Sequence, residues 1–135
     1  MEMNFGDYLI STDPTLLDKE VIFGFLSRSY WAHRRSQDTI LRSLDNSICY
    51  GVYHDRRQIG FARVVTDWAT VYYLCDVFID ESFRGMGIGK KLVETITQQF
   101  EGVMGLLGTK DAQGLYESFG FVRSTDLFML RRTNL

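Results

Sequence analysis

The chain has little of three things that mark particular protein classes: proline, cysteine and long apolar runs. It contains one proline and two cysteines, Cys49 and Cys75, each within an apolar stretch that suits a small buried side chain. No run approaches the ~20 apolar residues of a membrane span, and the polar N-terminus is unlike a secretion signal. We therefore expect a cytoplasmic protein with reduced thiols and no membrane partner.

The chain also lacks a large excess of positive or of negative residues. Fifteen Lys and Arg residues face 17 Asp and Glu residues, a formal net charge of −2. The basic clusters at 33–35 and 131–132 are too short to follow a phosphate backbone, which argues against a nucleic-acid partner. His, Cys and Asp residues form no cluster with metal-ligand spacing, so we expect no metal.

What remains is the composition of an ordinary globular domain. Of the 135 residues, 45% are hydrophobic and 24% charged. There is no internal repeat, no low-complexity tract and no linker. Residues 1–135 are expected to form a single domain with a substantial core.

Apolar residues spaced by four predict four helices. The Asp13-Pro14 pair is a good start for the first, and Ser36 can cap the second. Gly120 can end the last as a left-handed residue, with Phe121 in hydrophobic contact. The predicted helices are Leu16 to Leu26, Ser36 to about Asn46, about Gly87 to Phe100, and a last one around Ala112 to Phe119.

β-branched and aromatic residues predict the strands. The second, third and fourth are joined by breaks too short to cross over, so they form an antiparallel meander. The helix after the fourth makes a parallel βαβ unit with the fifth. The expected fold class is a mixed α/β sheet, mostly antiparallel, with one parallel crossover. The predicted strands are Tyr8–Ile10, Ile48–Tyr53, Ile59–Thr66, Val71–Ile79, Met104–Leu107, Phe121–Val122 and Leu127–Leu130.

A glycine-rich loop joins the Val71–Ile79 strand to the next helix. Gly85, Gly87 and Gly89 alternate there, which lets a ligand approach the backbone, and helix N-terminal N–H groups favour a phosphate. Arg84 and Lys90 add positive charge. The segment fails the dinucleotide fingerprint G-x-G-x-x-G and the P-loop pattern, because the required glycines are absent.

The pattern that fits is Arg84-x-x-Gly87-x-Gly89, which resembles the pyrophosphate loop of the GCN5-related N-acetyltransferase (GNAT) family. A second match lies downstream, where Ala112, the Leu115-Tyr116 pair and Gly120-Phe121 recur at the spacings of the family's closing segment. The resemblance implies the GNAT acyl-CoA N-acyltransferase fold, with acetyl-coenzyme A (acetyl-CoA) as co-substrate and a splayed central strand pair.

The resemblance also implies roles for individual residues. Tyr116 stands where the family has its proton donor, and Thr109 where the family often has an asparagine that contacts the cofactor arm. Tyr30 and Trp31 fall where the family walls the acceptor site. Those implied to bind the cofactor are Val77, Phe78 and Ile79 on the strand, Arg84, Gly85, Met86, Gly87, Ile88, Gly89 and Lys90 in the loop, and Thr109.

Several of these residues also have a purely structural interpretation. Tyr116, Tyr30 and Trp31 are of a type that often packs in a core. Asp76 lies in the central strand, where an unpaired charge is costly. As a catalytic residue it would accept a proton through water, as a general base, or orient the amine. As a structural residue it would pair with a nearby arginine or a backbone donor.

The function that these features favour is N-acetylation of a small-molecule amine by direct attack on acetyl-CoA. Tyr116 would protonate the leaving thiolate, and a strand N–H near Phe78 or Ile79 would polarise the carbonyl. Two alternatives stay open, a protein or peptide N-acetyltransferase and a non-catalytic coenzyme A binding module. The oligomeric state is also open, with a homodimer as one candidate.

Overall fold

The fold is a single sheet with helices on both faces. A computed structural model describes residues 1–124 and 126–133, and in these the strands lie in the order β1-β2-β3-β4-β5-β6. Their bounds are β1 Glu2–Phe5, β2 Tyr8–Ser11, β3 Ile48–His54, β4 Arg57–Thr66, β5 Val71–Ile79 and β6 Met104–Leu106, and those of the helices are α1 Lys19–Ser27, α2 Gln37–Asp45, α3 Ile88–Gln99 and α4 Gln113–Glu117.

β1 to β5 pair antiparallel with their sequence neighbours. The connections are short turns except between β2 and β3, where α1 and α2 intervene. β5 and β6 are parallel, and α3 makes the crossover between them. The predicted mixed sheet with one parallel pair is thus confirmed.

Two apolar clusters cover the two faces of the sheet. On one face α3 packs through Leu92, Val93 and Ile96, all fully buried. On the other, α1 and α2 pack against β4 and β5, where Phe61 and Phe78 are buried. β3 and β4 have buried residues on both faces, as strands in the middle of a covered sheet should.

The predicted helix starts are confirmed in one case and shifted in another. Ser36 caps α2, with its Oγ accepting from the Thr39 N–H at 3.1 Å. Asp13 caps a short 3₁₀ helix, Pro14–Leu16, instead of the first α-helix. Asp18 caps α1, which begins at Lys19, because its carboxylate accepts from the Val21 N–H.

The two chain ends differ from the predictions. β1, which pairs with β2 in a hairpin around the left-handed Gly6, was not foreseen. Phe121–Val122 and Leu127–Leu130 are not strands, so these two predictions were wrong. The side chains of Leu127 and Met129 are 80% and 98% exposed. An apolar run forms a strand when a ladder partner is available, and β6, with three residues, offers little.

None of the helices in the described ranges is both long and apolar enough to cross a bilayer.

We expect Leu92→Ala to lower the free energy of unfolding by about 2–5 kcal/mol, because it leaves a cavity where α3 meets the sheet. Urea denaturation would measure the change. Gln98→Ala, on the exposed side of the same helix, serves as the control and should stay within about 0.5 kcal/mol of the parent. Equal effects from the two variants would contradict the packing of α3.

Candidate functional site

The segment between β5 and α3 is anchored at its start. The Asp80 N–H donates to the Ile59 carbonyl at 2.8 Å, and the Asp80 carboxylate caps a 3₁₀ helix, Glu81–Phe83, through the Ser82 N–H. Arg28, at the end of α1, donates two hydrogen bonds to Glu81 at 2.8 and 3.0 Å. This hydrogen bonding lowers the pKa of Glu81 to about 2. The loop that follows therefore begins from a fixed point.

The three glycines of the loop have different reasons to be glycine. Gly85 and Gly87 have φ of +79° and +80°, the left-handed region that glycine occupies without strain. A Cβ on either would meet no protein atom within 4 Å. Gly89 lies in the first turn of α3, where a Cβ would contact Cγ1 of Ile79 at 3.6 Å. The first two thus turn the chain and leave open space beside it.

The start of α3 is left open to a ligand. Gly87 is its N-cap residue and offers no side-chain acceptor to the first N–H groups of the helix. The residues that lead into the helix, Arg84, Gly85, Met86 and Gly87, are all exposed. Unsatisfied N–H groups at the positive end of a helix form a ready site for an anion.

Two cations flank this open helix end. The Arg84 Nε donates to the Ile79 carbonyl at 2.9 Å, and its guanidinium lies 4.9 Å from the centre of the Phe78 ring. Lys90 is exposed in the first turn of α3. Neither has an ion-pair partner among residues 1–124 and 126–133, so both charges can serve a ligand.

β5 and β6 separate halfway along β5. Their pairing runs from Val71 with Met104 to Tyr73 with Leu106 and then stops. β5 continues to Ile79, so its last residues have no ladder partner on this side. The predicted splayed strand pair is confirmed, and Val77, Phe78 and Ile79 border the gap.

The opposite edge of β5 contains a bulge at Asp76. Phe61 pairs with Phe78 and Arg63 with Cys75, so Asp76 and Val77 together lie opposite one residue of β4. Asp76 has φ of +55°, an uncommon value for a residue other than glycine. Because such backbone persists when its surroundings hold it, the contacts of Asp76 matter.

The Asp76 side chain is fully buried and held by three donors. Arg35 donates to both carboxylate oxygens at 3.0 and 2.9 Å, the Arg63 Nε donates at 2.9 Å, and the Trp31 Nε1 donates at 2.9 Å. These bonds occupy both carboxylate oxygens of Asp76. These contacts favour the structural pair over the general base, two of the roles that the sequence left open.

Tyr30 and Trp31 lie together in the connection between α1 and α2. Their rings meet edge to face, with centres 5.0 Å apart, and their side chains are 49% and 38% exposed. The Tyr30 hydroxyl accepts from the Lys110 N–H at 3.0 Å, so this connection contacts the loop before α4. The partly exposed pair lies beside Asp76 on the same side of the sheet, where the predicted acceptor wall would be.

Tyr116 lies in α4 and is 9% exposed. Burial raises its pKa to about 12, and nearby Tyr30 and Asp111 contribute further. Its hydroxyl has no hydrogen-bond partner among the described residues. Among the described residues, the side-chain oxygen that is both fully buried and without a partner is the Tyr53 hydroxyl. The Tyr116 hydroxyl also lacks a partner but is not fully buried, so it still reaches solvent.

Thr109 has a structural contact in addition to its predicted role. Its Oγ1 accepts from the Ala112 N–H at 3.1 Å and so supports the start of α4. The hydroxyl proton remains available to a ligand, and its role toward the cofactor stays a prediction.

The sequence interpretation missed the arginines of the site. Arg35 was noted as part of a short basic cluster and Arg63 was not considered, although both contact Asp76. The signal that could have found them is the lone carboxylate in an apolar strand, which requires a cation nearby. Within the described ranges, no group of three or more His, Cys, Asp or Glu side chains is arranged to hold a metal.

Comparison with known proteins gives a consistent result. A Xanthomonas campestris protein of the GNAT family, known from its crystal structure, is 35% identical, with a TM-score of 0.89 and coverage of 96% of both chains. The ribosomal-protein-S18-alanine N-acetyltransferase of Escherichia coli is 23% identical and shares the fold, with a TM-score of 0.73 over 87% of this chain and 79% of that one.

Curated relatives extend beyond this chain. A Gibberella zeae protein named as an acetyltransferase is 32% identical over 72% of this chain, which spans 66% of that relative's length. A Glycine max protein named histone acetyltransferase is 33% identical over 49% of this chain, which spans 30% of that relative.

A family model also matches, and it covers more than half of the chain. The acetyltransferase (GNAT) domain model aligns with residues 45–123, a range that includes the glycine loop and Tyr116. With the predicted family and its acyltransferase class confirmed in this way, the chain belongs to the GNAT family of acetyltransferases.

Proposed function

We propose that this chain is an acetyl-CoA-dependent N-acetyltransferase that acetylates the amine of a small molecule by direct attack. The observation that supports it most is the open helix end. Gly85 and Gly87 leave space at an uncapped N-terminus, two unpaired cations flank it, and the gap between β5 and β6 begins beside it.

The residues present fit acetyl-CoA. The N–H groups of Ile88, Gly89 and Lys90 would hold the pyrophosphate, since the N-cap residue Gly87 has no side chain that could accept from them. Arg84 and Lys90 would supply the opposite charge. The backbone of Val77, Phe78 and Ile79 would bind the pantetheine arm along the gap, where β5 has no ladder partner.

Acetyl-CoA, when bound, supplies a thioester whose carbonyl carbon accepts the amine and whose sulfur leaves. The bond that forms joins the amine nitrogen to that carbon, and the bond that breaks is the carbon–sulfur bond. The sulfur gains one proton. The amine loses one proton, and we assign solvent as the acceptor of that proton. The chain's own residues then have two tasks, to stabilise charge on the carbonyl oxygen and to deliver the proton to sulfur.

Backbone N–H groups of β5 perform the first task. The bulge at Asp76 takes Asp76 and Val77 out of register with β4. Beyond Tyr73, the edge of β5 that faces β6 is unpaired. N–H groups near Phe78 and Ile79 can therefore donate to an oxygen in the gap. Donors fixed before the reaction stabilise developing charge without reorganisation cost.

Tyr116 performs the second task. Its raised pKa means that it keeps its proton at neutral pH and is ready to donate. A free thiol has a pKa near ~8.5, so transfer from a more basic phenol to a thiolate is uphill. Tyr116 therefore acts by a hydrogen bond to the sulfur that becomes a proton transfer as the carbon–sulfur bond breaks.

Asp76 has a positioning role in this scheme. Its four hydrogen bonds hold the left-handed backbone of the bulge, and the bulge sets the direction of the N–H groups that follow. This assignment replaces the general base as our preferred role for Asp76.

The glycine loop gives a test of acetyl-CoA binding. In Gly87→Ala the added Cβ projects into the space for the pyrophosphate, and we expect affinity to fall about 10-fold or more, as for one lost charge-assisted hydrogen bond. Gly102→Ala is the matched control, because Gly102 has φ of +82° and similarly open space. Both variants bear the same backbone strain of about 1–2 kcal/mol. Calorimetry should show weaker binding for Gly87→Ala alone.

Tyr116→Phe should lower turnover by about 10²–10⁴ while the Kd for acetyl-CoA stays the same, because only proton donation is lost. Thiol release with a panel of amines would measure turnover. Tyr53→Phe removes another buried hydroxyl, on β3, and should leave turnover unchanged. Full activity of Tyr116→Phe would rule out its role, and acetyl-CoA binding without thiol release from any amine would favour the non-catalytic module.

The pH profile gives a separate test. Because burial raises the pKa of Tyr116 to about 12, Tyr116 keeps its proton throughout the assay range. The rate should therefore rise from pH 6 as the acceptor amine loses its proton, and should reach a plateau without falling by pH 10. A falling limb with an apparent pKa near 9 that disappears in Tyr116→Phe would contradict this.

A further inference from the structure

The contacts around Asp76 leave one positive charge without a partner. We name the group formed by Trp31, Arg35, Arg63 and Asp76 the acceptor-face cluster. It contains two guanidinium groups and one carboxylate, and the described residues provide no second carboxylate in an ion pair with either arginine. The excess charge of +1 lies in a largely buried place, where it is poorly screened.

Part of the excess charge can be reached from outside. The side chains of Arg35 and Arg63 are 24% and 11% exposed, whereas that of Asp76 is fully buried. Arg35 makes both of its bonds to Asp76 through one nitrogen, Nη1. Its Nε and Nη2 have no partner among the residues described, so they remain free to donate to a ligand.

Aromatic surface lies next to this charge. Tyr30 and Trp31 are about half and one third exposed, and Trp31 belongs to the cluster through its bond to Asp76. The next residue along β5, Val77, borders the gap that we assign to the pantetheine arm. A molecule resting on these two rings could thus contact the free guanidinium donors and the gap at once.

We propose that the acceptor-face cluster is a subsite for a carboxylate group of the acceptor, so that the substrate is an amine that also bears a carboxylate, as an amino acid does. This proposal rests on the proposed function, because it concerns the acceptor half of the same reaction. Arg35 would bind the carboxylate through Nε and Nη2, a fork that matches two carboxylate oxygens. The rings of Tyr30 and Trp31 would hold the apolar part of the molecule.

The size of the excess positive charge determines which anions it can balance, and its sign disfavours cations. An excess of one positive charge balances one carboxylate, whereas a phosphate near neutral pH carries close to two negative charges. A lysine-rich peptide or a polyamine would bring further positive charge toward Arg35 and be repelled. The cluster therefore favours a monoanionic amine.

A binding measurement tests the proposal without requiring turnover. The chain has two tryptophans, and Trp68→Phe leaves Trp31 as the fluorescent reporter. With coenzyme A present, N-acetyl-phenylalanine should bind about 10–100-fold more tightly than its primary amide, because the amide lacks the charge. The same pair made from leucine and from glutamate extends the test. Equal affinity of acid and amide in all three pairs would overturn the subsite.

A charge-removing variant identifies the residue. In Arg35→Gln the preference for the acid should fall to about 1–3-fold, whereas affinity for the amide should change little. Arg35→Lys keeps the charge without the fork and should retain an intermediate preference. Arg34→Gln, an exposed neighbour outside the cluster, is the matched control and should behave like the parent. Thermal unfolding of each variant shows whether the loss reflects misfolding.

Kinetics then separate this proposal from the proposed function. With acetyl-CoA as donor, Arg35→Gln should raise the KM for phenylalanine about 10-fold or more beyond any change in the KM for phenethylamine, because only phenylalanine bears a carboxylate. Turnover that is equal for phenylalanine and phenethylamine in the parent would overturn the subsite and leave the acetyltransferase intact. Absence of acetyl-CoA binding would overturn the proposed function itself, whatever the fluorescence result.

Discussion

The region that we propose for the acceptor depends on one interaction, the buried carboxylate of Asp76 shared between two guanidinium groups. Arg63 comes from the neighbouring strand β4, whereas Arg35 and Trp31 come from the connection between α1 and α2. The network therefore ties that connection to the sheet at the point where β5 bulges. Loss of Asp76 would leave two largely buried guanidinium groups without a counter-charge, which is costly in a low-dielectric interior.

The donor side is built differently, from backbone geometry. Two left-handed glycines and an uncapped helix end form the anion site that we propose, with few side-chain contributions. β5 joins the two sides, because its end leads into the glycine loop and its bulge contains Asp76. An acyl group placed along β5 and an amine placed over the cluster would meet near Val77 and Phe78. This shared strand explains how one short segment of chain can organise both halves of a transfer reaction.

Prediction from the sequence was accurate where the local pattern is strong. The bounds of β5 agree with its nine residues, all of which except Asp76 are apolar, aromatic or β-branched, and the caps at Ser36 and Gly120 follow from residue types suited to those conformations. The glycine loop was located because its glycines sit at a strand-to-helix junction. The C-terminal strands were predicted wrongly, since an apolar run reports the tendency to pair and not the presence of a partner. The hairpin strand β1 was missed because it is short and partly exposed.

By itself the amino-acid sequence determined the four helices, the antiparallel meander, the parallel crossover, the glycine-rich loop and the place of Tyr116 on the last helix. Each of these depends on residues close together in the chain. The tertiary structure decided the partners of Asp76. Arg35, 41 positions away, reaches it through packing of α1 and α2 on the sheet, and Arg63, 13 positions away, reaches it from the neighbouring strand β4. It also decided the environment of Tyr116, because the pKa of a phenol depends on how deeply neighbouring elements bury it. Local pattern cannot encode which distant side chains share a site, and that assignment follows from the packing of the whole domain.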